Sequence, residues 1–144
     1  MKLTENVYDR ADHAAKRYAR FKEAFACFLK GAAHLTEPTF PIKGLSIGPF
    51  LDTNQFDVTF VGMTIRFRFL MLYDTDNTLT GRVVVARNPP AFSDTPEIIG
   101  AFSFNGHGIT DFEIDEDRDK LGIEYYASEI ILHFLDKALA KPLP

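Results

Sequence analysis

Between Gln55 and Tyr73 the chain reads QFDVTFVGMTIRFRFLMLY, with apolar side chains on alternate positions either side of Gly62. Alternation with period two is the signature of β-strands, whose successive side chains point to opposite faces. A two-residue turn at Gly62-Met63, with glycine supplying the positive φ of a type II′ turn, folds the stretch into a hairpin. The pairs are then Val61 with Thr64, Val58 with Phe67, Asp57 with Arg68 and Phe56 with Phe69. Phe56, Val58, Phe60, Ile65, Phe67 and Phe69 fall on one face. Thr59, Arg66 and an Asp57–Arg68 ion pair fall on the other. A slip of one residue would mix these faces, so the register is expected to be well specified. Leu70 and Leu72 oppose the phenylalanine face, which predicts that the far end of this strand is covered on both sides.

A face this aromatic needs a cover, and the rest of the chain offers two helices. Residues 5–31 read as one long helix with Thr4 at its N-cap. Val7, Ala11, Ala14, Tyr18, Phe21, Phe25, Phe28 and Ala32 step by four and three, the seven-residue period of a packing seam. At 1.5 Å per residue the rod is roughly 40 Å long. Either it lies along its own sheet, or part of it packs on a second copy or another chain. A second helix, about 119–140, places Ile123, Ala127, Ile130, Ile131, Phe134, Leu135, Ala138 and Leu139 on a broad apolar arc that should be largely buried. The expected fold is α+β: one domain over 1–144, with helix 5–31, an antiparallel sheet of five or six strands over about 42–114, and helix 119–140. Both helices are expected on the phenylalanine face.

FSFNGHGITDFEIDEDRD, residues 102–119, is the second informative stretch. A three-residue loop, Asn105-Gly106-His107, keeps Phe102, Phe104 and Phe112 on one face, pairs Phe104 with Gly108, and places Gly106 in the left-handed region. His107 then stands exposed at a hairpin tip. Asp111, Glu113, Asp115, Glu116, Asp117 and Asp119 face one arginine here, while the remaining chain holds 15 basic and 14 acidic side chains. Asp115, Glu116, Asp117 and Asp119 suit the start of the second helix, where its dipole favours negative charge. Their alternative role is an acidic docking surface, carried by Asp111, Glu113, Asp115, Glu116 and Asp117.

Composition excludes several functions. A net charge of −4 with no dominant basic stripe argues against nucleic acid as a partner. The single Cys27 cannot form an internal disulfide or a multi-cysteine zinc site, and with no apolar leader or spanning run the expectation is a soluble cytoplasmic protein without a membrane role. No phosphate-binding glycine loop, nucleophile elbow or HExxH pattern occurs, and no metal or cofactor is expected. Residues 74–85 alternate acids like a calcium loop but carry Leu79 and Val85 where glycine and glutamate belong, which leaves a hairpin turn. The proline-rich NPPAFSDTPE, residues 88–97, is a stiff connection or a partner-binding loop.

Two functional readings follow. One is a non-catalytic protein-binding or adaptor protein, engaging an unknown protein or associating with itself through the N-terminal helix. The other is a small-molecule-binding domain or small enzyme with a phenylalanine-lined cavity between sheet and helices. The candidate ligand-binding residues for the second are Arg66, Arg68, Tyr73 and His107; neither reading names a catalytic residue.

Overall fold

The computed structural model describes residues 5–48, 54–88, 95–112 and 122–140. In chain order they form α1 (Glu5–Gly31), a short 3-10 turn (Ala33–Thr36), β1 (Ser46–Ile47), β2 (Gln55–Phe60), β3 (Met63–Tyr73), β4 (Leu79–Arg87), β5 (Glu97–Phe104) and α2 (Ala127–Ala140). The strands make one antiparallel meander in sequence order. This is the expected α+β arrangement, with five strands. No helix among the described residues is long and apolar enough to cross a membrane.

The β2–β3 hairpin keeps its predicted faces but not its predicted register. The turn residues are Val61 and Gly62, with φ of 47° and 79°, so both positions are left-handed as a type I′ turn demands. Phe60 pairs with Met63, Val58 with Ile65, Asp57 with Arg66 and Phe56 with Phe67. Moving a two-residue turn by one position shifts the pairing by two. Alternation has period two, so it cannot distinguish the two registers. The ion pair changes accordingly: Arg66 Nε and Nη2 donate to the Asp57 carboxylate at 2.8 and 3.1 Å, and Arg68 is left out.

The 105–109 loop repeats this outcome. Phe104 bridges to Thr110 rather than pairing with Gly108, and the Asn105 N–H donates to the Ile109 carbonyl. The Asn105 side-chain oxygen accepts from the His107 and Ile109 amides at 2.9 and 3.0 Å, closing the loop from inside. The left-handed glycine is Gly108, at φ 75°, not Gly106. Phe102 and Phe104 still face the core, with Phe112 packed edge-on against Phe102. The β3–β4 turn is tied similarly: the Asp74 carboxylate accepts from the Asp76 and Thr78 amides and the Thr80 hydroxyl. No such satisfied turn needs a bound ion.

The core is a raft of phenylalanine rings under the two helices. Phe56 and Phe67 stack at 5.1 Å between centroids, and Phe25, Phe28, Phe69, Phe102, Phe104 and Phe134 continue the contact at 5.4–6.0 Å. Offset and tilted rings at these separations contribute beyond their buried area. From α1 the core takes Phe21, Phe25 and Phe28, and Ala32 just beyond its end is buried with them. Ala14 and Tyr18 are half-buried, and Val7 and Ala11 are exposed. The seam therefore serves the chain's own sheet along its C-terminal half, and its first turns overhang.

α2 starts at Ala127, later than the apolar arc predicts, and residues 123–126 are turns. The cause lies in two glycines. A Cβ on Gly31 would sit 2.2 Å from the Glu124 carbonyl oxygen, so the bare glycine lets this segment close directly onto the end of α1. Gly122 meanwhile bridges to Ile109, and the Ile123 N–H donates to the Gly108 carbonyl. These tertiary contacts override the helical periodicity. The acid in the first turn of α2 is Glu129, and Glu113, Asp115, Glu116, Asp117 and Asp119 lie outside the described residues, as does most of the 88–97 loop. Asp111 is exposed and its carboxylate accepts from the Ser103 amide. At its other end α2 is latched by Arg87, a residue 7% exposed whose guanidinium donates to the Ala138 carbonyl and the Glu97 carboxylate. A cation there meets the negative end of the helix dipole.

Both helices lie on the phenylalanine side, and the opposite face has no covering element among the described residues. Leu70 is 36% exposed there, against the expectation that this end is covered twice.

Candidate functional site

β2 and β3 are unequal. From the turn, β2 runs back six residues and β3 runs on eleven. Pairing to β2 ends at Gln55–Arg68, followed by one further bond from the Phe69 N–H to the Asn54 carbonyl. Leu70–Tyr73 continue alone on that side while pairing with Leu79–Arg82 of β4 on the other. Backbone polarity alternates along a strand. The Phe69 bond sets the odd-numbered residues toward the β2 side, and the Asn88-to-Thr64 bond sets the even-numbered ones toward β4. The N–H and C=O groups of Met71 and Tyr73 therefore point out of the sheet edge with no partner among the described residues.

A cleft of about 450 Å³ occupies this edge, lined by Tyr18, Asn54, Arg68, Phe69, Leu70, Met71 and Val84. Its core side is roofed by α1, where Tyr18 stacks on Phe69 and donates its hydroxyl to the Asn54 side chain at 2.9 Å. The Tyr73 hydroxyl donates to the Arg10 carbonyl, with the Arg10 guanidinium 4.3 Å over the Tyr73 ring. The opposite side carries Arg68, Leu70 and, across on β4, Arg82. Arg68 and Arg82 are both exposed, and neither has an ion-pair partner among the described residues. Lys22, over the Tyr18 ring at 5.9 Å, adds a further cation.

The four candidate ligand-binding residues are not gathered into one pocket. Arg66 is committed to Asp57, and Arg68 lines the edge cleft. Tyr73 lies on the core side and lines a separate cleft of about 370 Å³ with Asp9, Arg10 and His13. His107 is exposed in the loop that follows β5, its Nδ1 3.5 Å from Arg20 Nη2. The sequence reading does not single out Met71, Arg82 or Asn54. The available signal was the unequal length of the two hairpin arms.

His107 borders a third cleft, about 360 Å³, with Arg20, Glu23, Cys27 and Glu124. Burial pushes the Cys27 thiol up, and the Glu124 and Glu23 carboxylates push it further, against a weaker opposite pull from Lys30. A thiol held protonated is a poor nucleophile. The imidazole faces a guanidinium rather than an orienting carboxylate, so this cleft lacks the geometry of a general base. No cluster of three or more His, Cys, Asp or Glu among the described residues is arranged to hold a metal ion. Of these three clefts, none is lined by more than one phenylalanine. No protein-family model, curated protein or solved structure matches the chain.

Proposed function

We propose that this chain is a non-catalytic binding protein that receives a segment of another protein on the side of the sheet its helices leave open. One observation carries the reading. Exposed Arg68 and Arg82 flank exposed Leu70 at an uncovered sheet margin, with no carboxylate paired to either arginine among the described residues. Apolar surface rimmed by uncompensated charge of one sign is the character of a recognition surface for an oppositely charged chain. The thiol of Cys27, raised by burial and flanking carboxylates, gives no support to a catalytic reading.

Titration of isotope-labelled protein with polyglutamate, and with polylysine as control, tests this. Amide shifts confined to residues around Arg68, Leu70, Arg82 and Val84 are expected with polyglutamate only, and an Arg68→Glu/Arg82→Glu double variant should abolish them. Absence of shifts at this margin with polyglutamate at low salt would refute the proposal, as would equal shifts with polylysine.

A further inference from the structure

Resting on that binding reading, we infer that the partner segment is phosphorylated, and that Arg68 and Arg82 together grip its phosphoryl group. Arg68 pairs with Val84 and Leu70 with Arg82 across β3 and β4, so these four residues mark the corners of one square on the open face. The two arginines stand on one diagonal, about 7–8 Å apart, a spacing that long side chains bridge toward a common point. Exposed Leu70 and half-buried Val84 stand on the other diagonal and give the square an apolar floor. Its flanks are Gln55 on β2, beside Arg68, and Ala101 and Ser103 on β5, beside Val84 and Arg82. A ligand therefore meets the square from above the sheet, not in line with a strand.

The same face shows how far one carboxylate goes. Arg66 Nε and Nη2 donate to the two Asp57 oxygens, so a single guanidinium fork occupies both of them. Arg68 and Arg82 have no ion-pair partner among the described residues, and as like charges on neighbouring strands they repel each other. A phosphate monoester carries a charge of about −1.5 to −2 and three free oxygens, enough to accept from both forks at once. It cancels a pair of charges that a lone carboxylate leaves half compensated, which is how arginine clusters read phosphorylated segments. Two cations are too few for a lipid surface, which is held by clusters of about four to eight, and a net charge of −4 disfavours a polyanionic nucleic acid. The rival ligand is a segment with carboxylates on alternate residues, one for each arginine.

The test uses the isotope-labelled full chain and two acetylated pentapeptide amides of about equal net charge at neutral pH. One is Glu-Leu-phosphoserine-Val-Ala. The other is Glu-Leu-Glu-Val-Glu, which sets carboxylates on alternate residues as the rival requires. The phosphopeptide is expected to bind about tenfold more tightly, with amide shifts centred on Arg68, Leu70, Arg82 and Val84. An Arg68→Lys/Arg82→Lys variant keeps the charge and loses the forks, so it should erase that preference while still binding the glutamate peptide. Equal affinity for the two peptides, or a preference that survives in the lysine variant, refutes the phosphoryl grip while charge-directed binding stands. Inorganic phosphate binding as tightly as the phosphopeptide would overturn the assignment to a protein segment. If neither peptide binds, the inference is refuted, and if polyglutamate fails as well, the binding reading falls with it.

Discussion

Val61 occupies a conformation that suits it poorly, and its replacement by asparagine tests the hairpin register directly. At φ 47° a β-branched side chain crowds its own backbone, and the left-handed region costs an ordinary L-residue about 1–2 kcal/mol. Asparagine tolerates this region far better, and Asn-Gly is the favoured pair for a type I′ turn. Against that gain stands the lost burial of valine. Because Val61 is 66% exposed, only about a third of the roughly 1.5 kcal/mol for full burial is at stake, or about 0.5 kcal/mol. Val61→Asn should therefore stabilise the protein by about 1 kcal/mol, seen as a higher urea midpoint at unchanged slope. The sign discriminates between registers. With the turn at Gly62-Met63, residue 61 would be the last paired strand position, where valine outperforms asparagine by up to about 1 kcal/mol. A less stable Val61→Asn variant would overturn the type I′ assignment.

Three further outcomes follow from particular contacts. Gly31→Ala should destabilise by about 1–3 kcal/mol in urea unfolding, although alanine is the better helix former, because its Cβ would meet the Glu124 carbonyl at 2.2 Å. Tyr126→Phe should leave stability unchanged or raise it by about 1 kcal/mol in the same assay, since the Tyr126 hydroxyl is buried without a hydrogen-bond partner among the described residues. The Asp74 carboxylate is held below its usual 3.8 by the Thr78 amide first, with the Asp76 amide and Thr80 hydroxyl adding to it. A lowered folded value contributes stability above the unfolded one and loses it as pH falls through the folded value. The deficit of an Asp74→Ala variant against the parent should accordingly be present at neutral pH and vanish below the ordinary carboxylate range.

The sequence makes the faces legible and leaves the registers hidden, for one physical reason. Which side of a strand is buried follows from alternation, so Phe56, Val58, Ile65, Phe67 and Phe69 all appear where expected. Which residue opposes which depends on the turn, and Val61 accepting a positive φ is not a preference any sequence rule awards to valine. Asp57 consequently takes Arg66, and Arg68 is released to the surface. The start of α2 was hidden for a different reason. Ile123 is apolar and correctly spaced for the arc, but a contact between Gly31 and the Glu124 carbonyl decides its backbone, and that contact is remote in sequence. As for the candidate site, Arg68 could be read as a residue on the polar face. Its lack of an ionic partner and the exposed edge beside it depend on where β2 stops, and Tyr73 and His107 were separated from it by the path of the chain.

α1 is continuous in geometry but divided in thermodynamics. Phe25 and Phe28 have no accessible surface, so amides near them can reach solvent only when the sheet itself comes apart. The first turns carry Val7 and Tyr8 at 51% and 66% exposure and draw tertiary support from the Arg10–Tyr73 contact. A short helical segment with so little packing frays on its own. Deuterium uptake should therefore climb steeply toward the first turn while the phenylalanine-bearing half stays protected, and the rod would behave as an anchored stem with a melting tip.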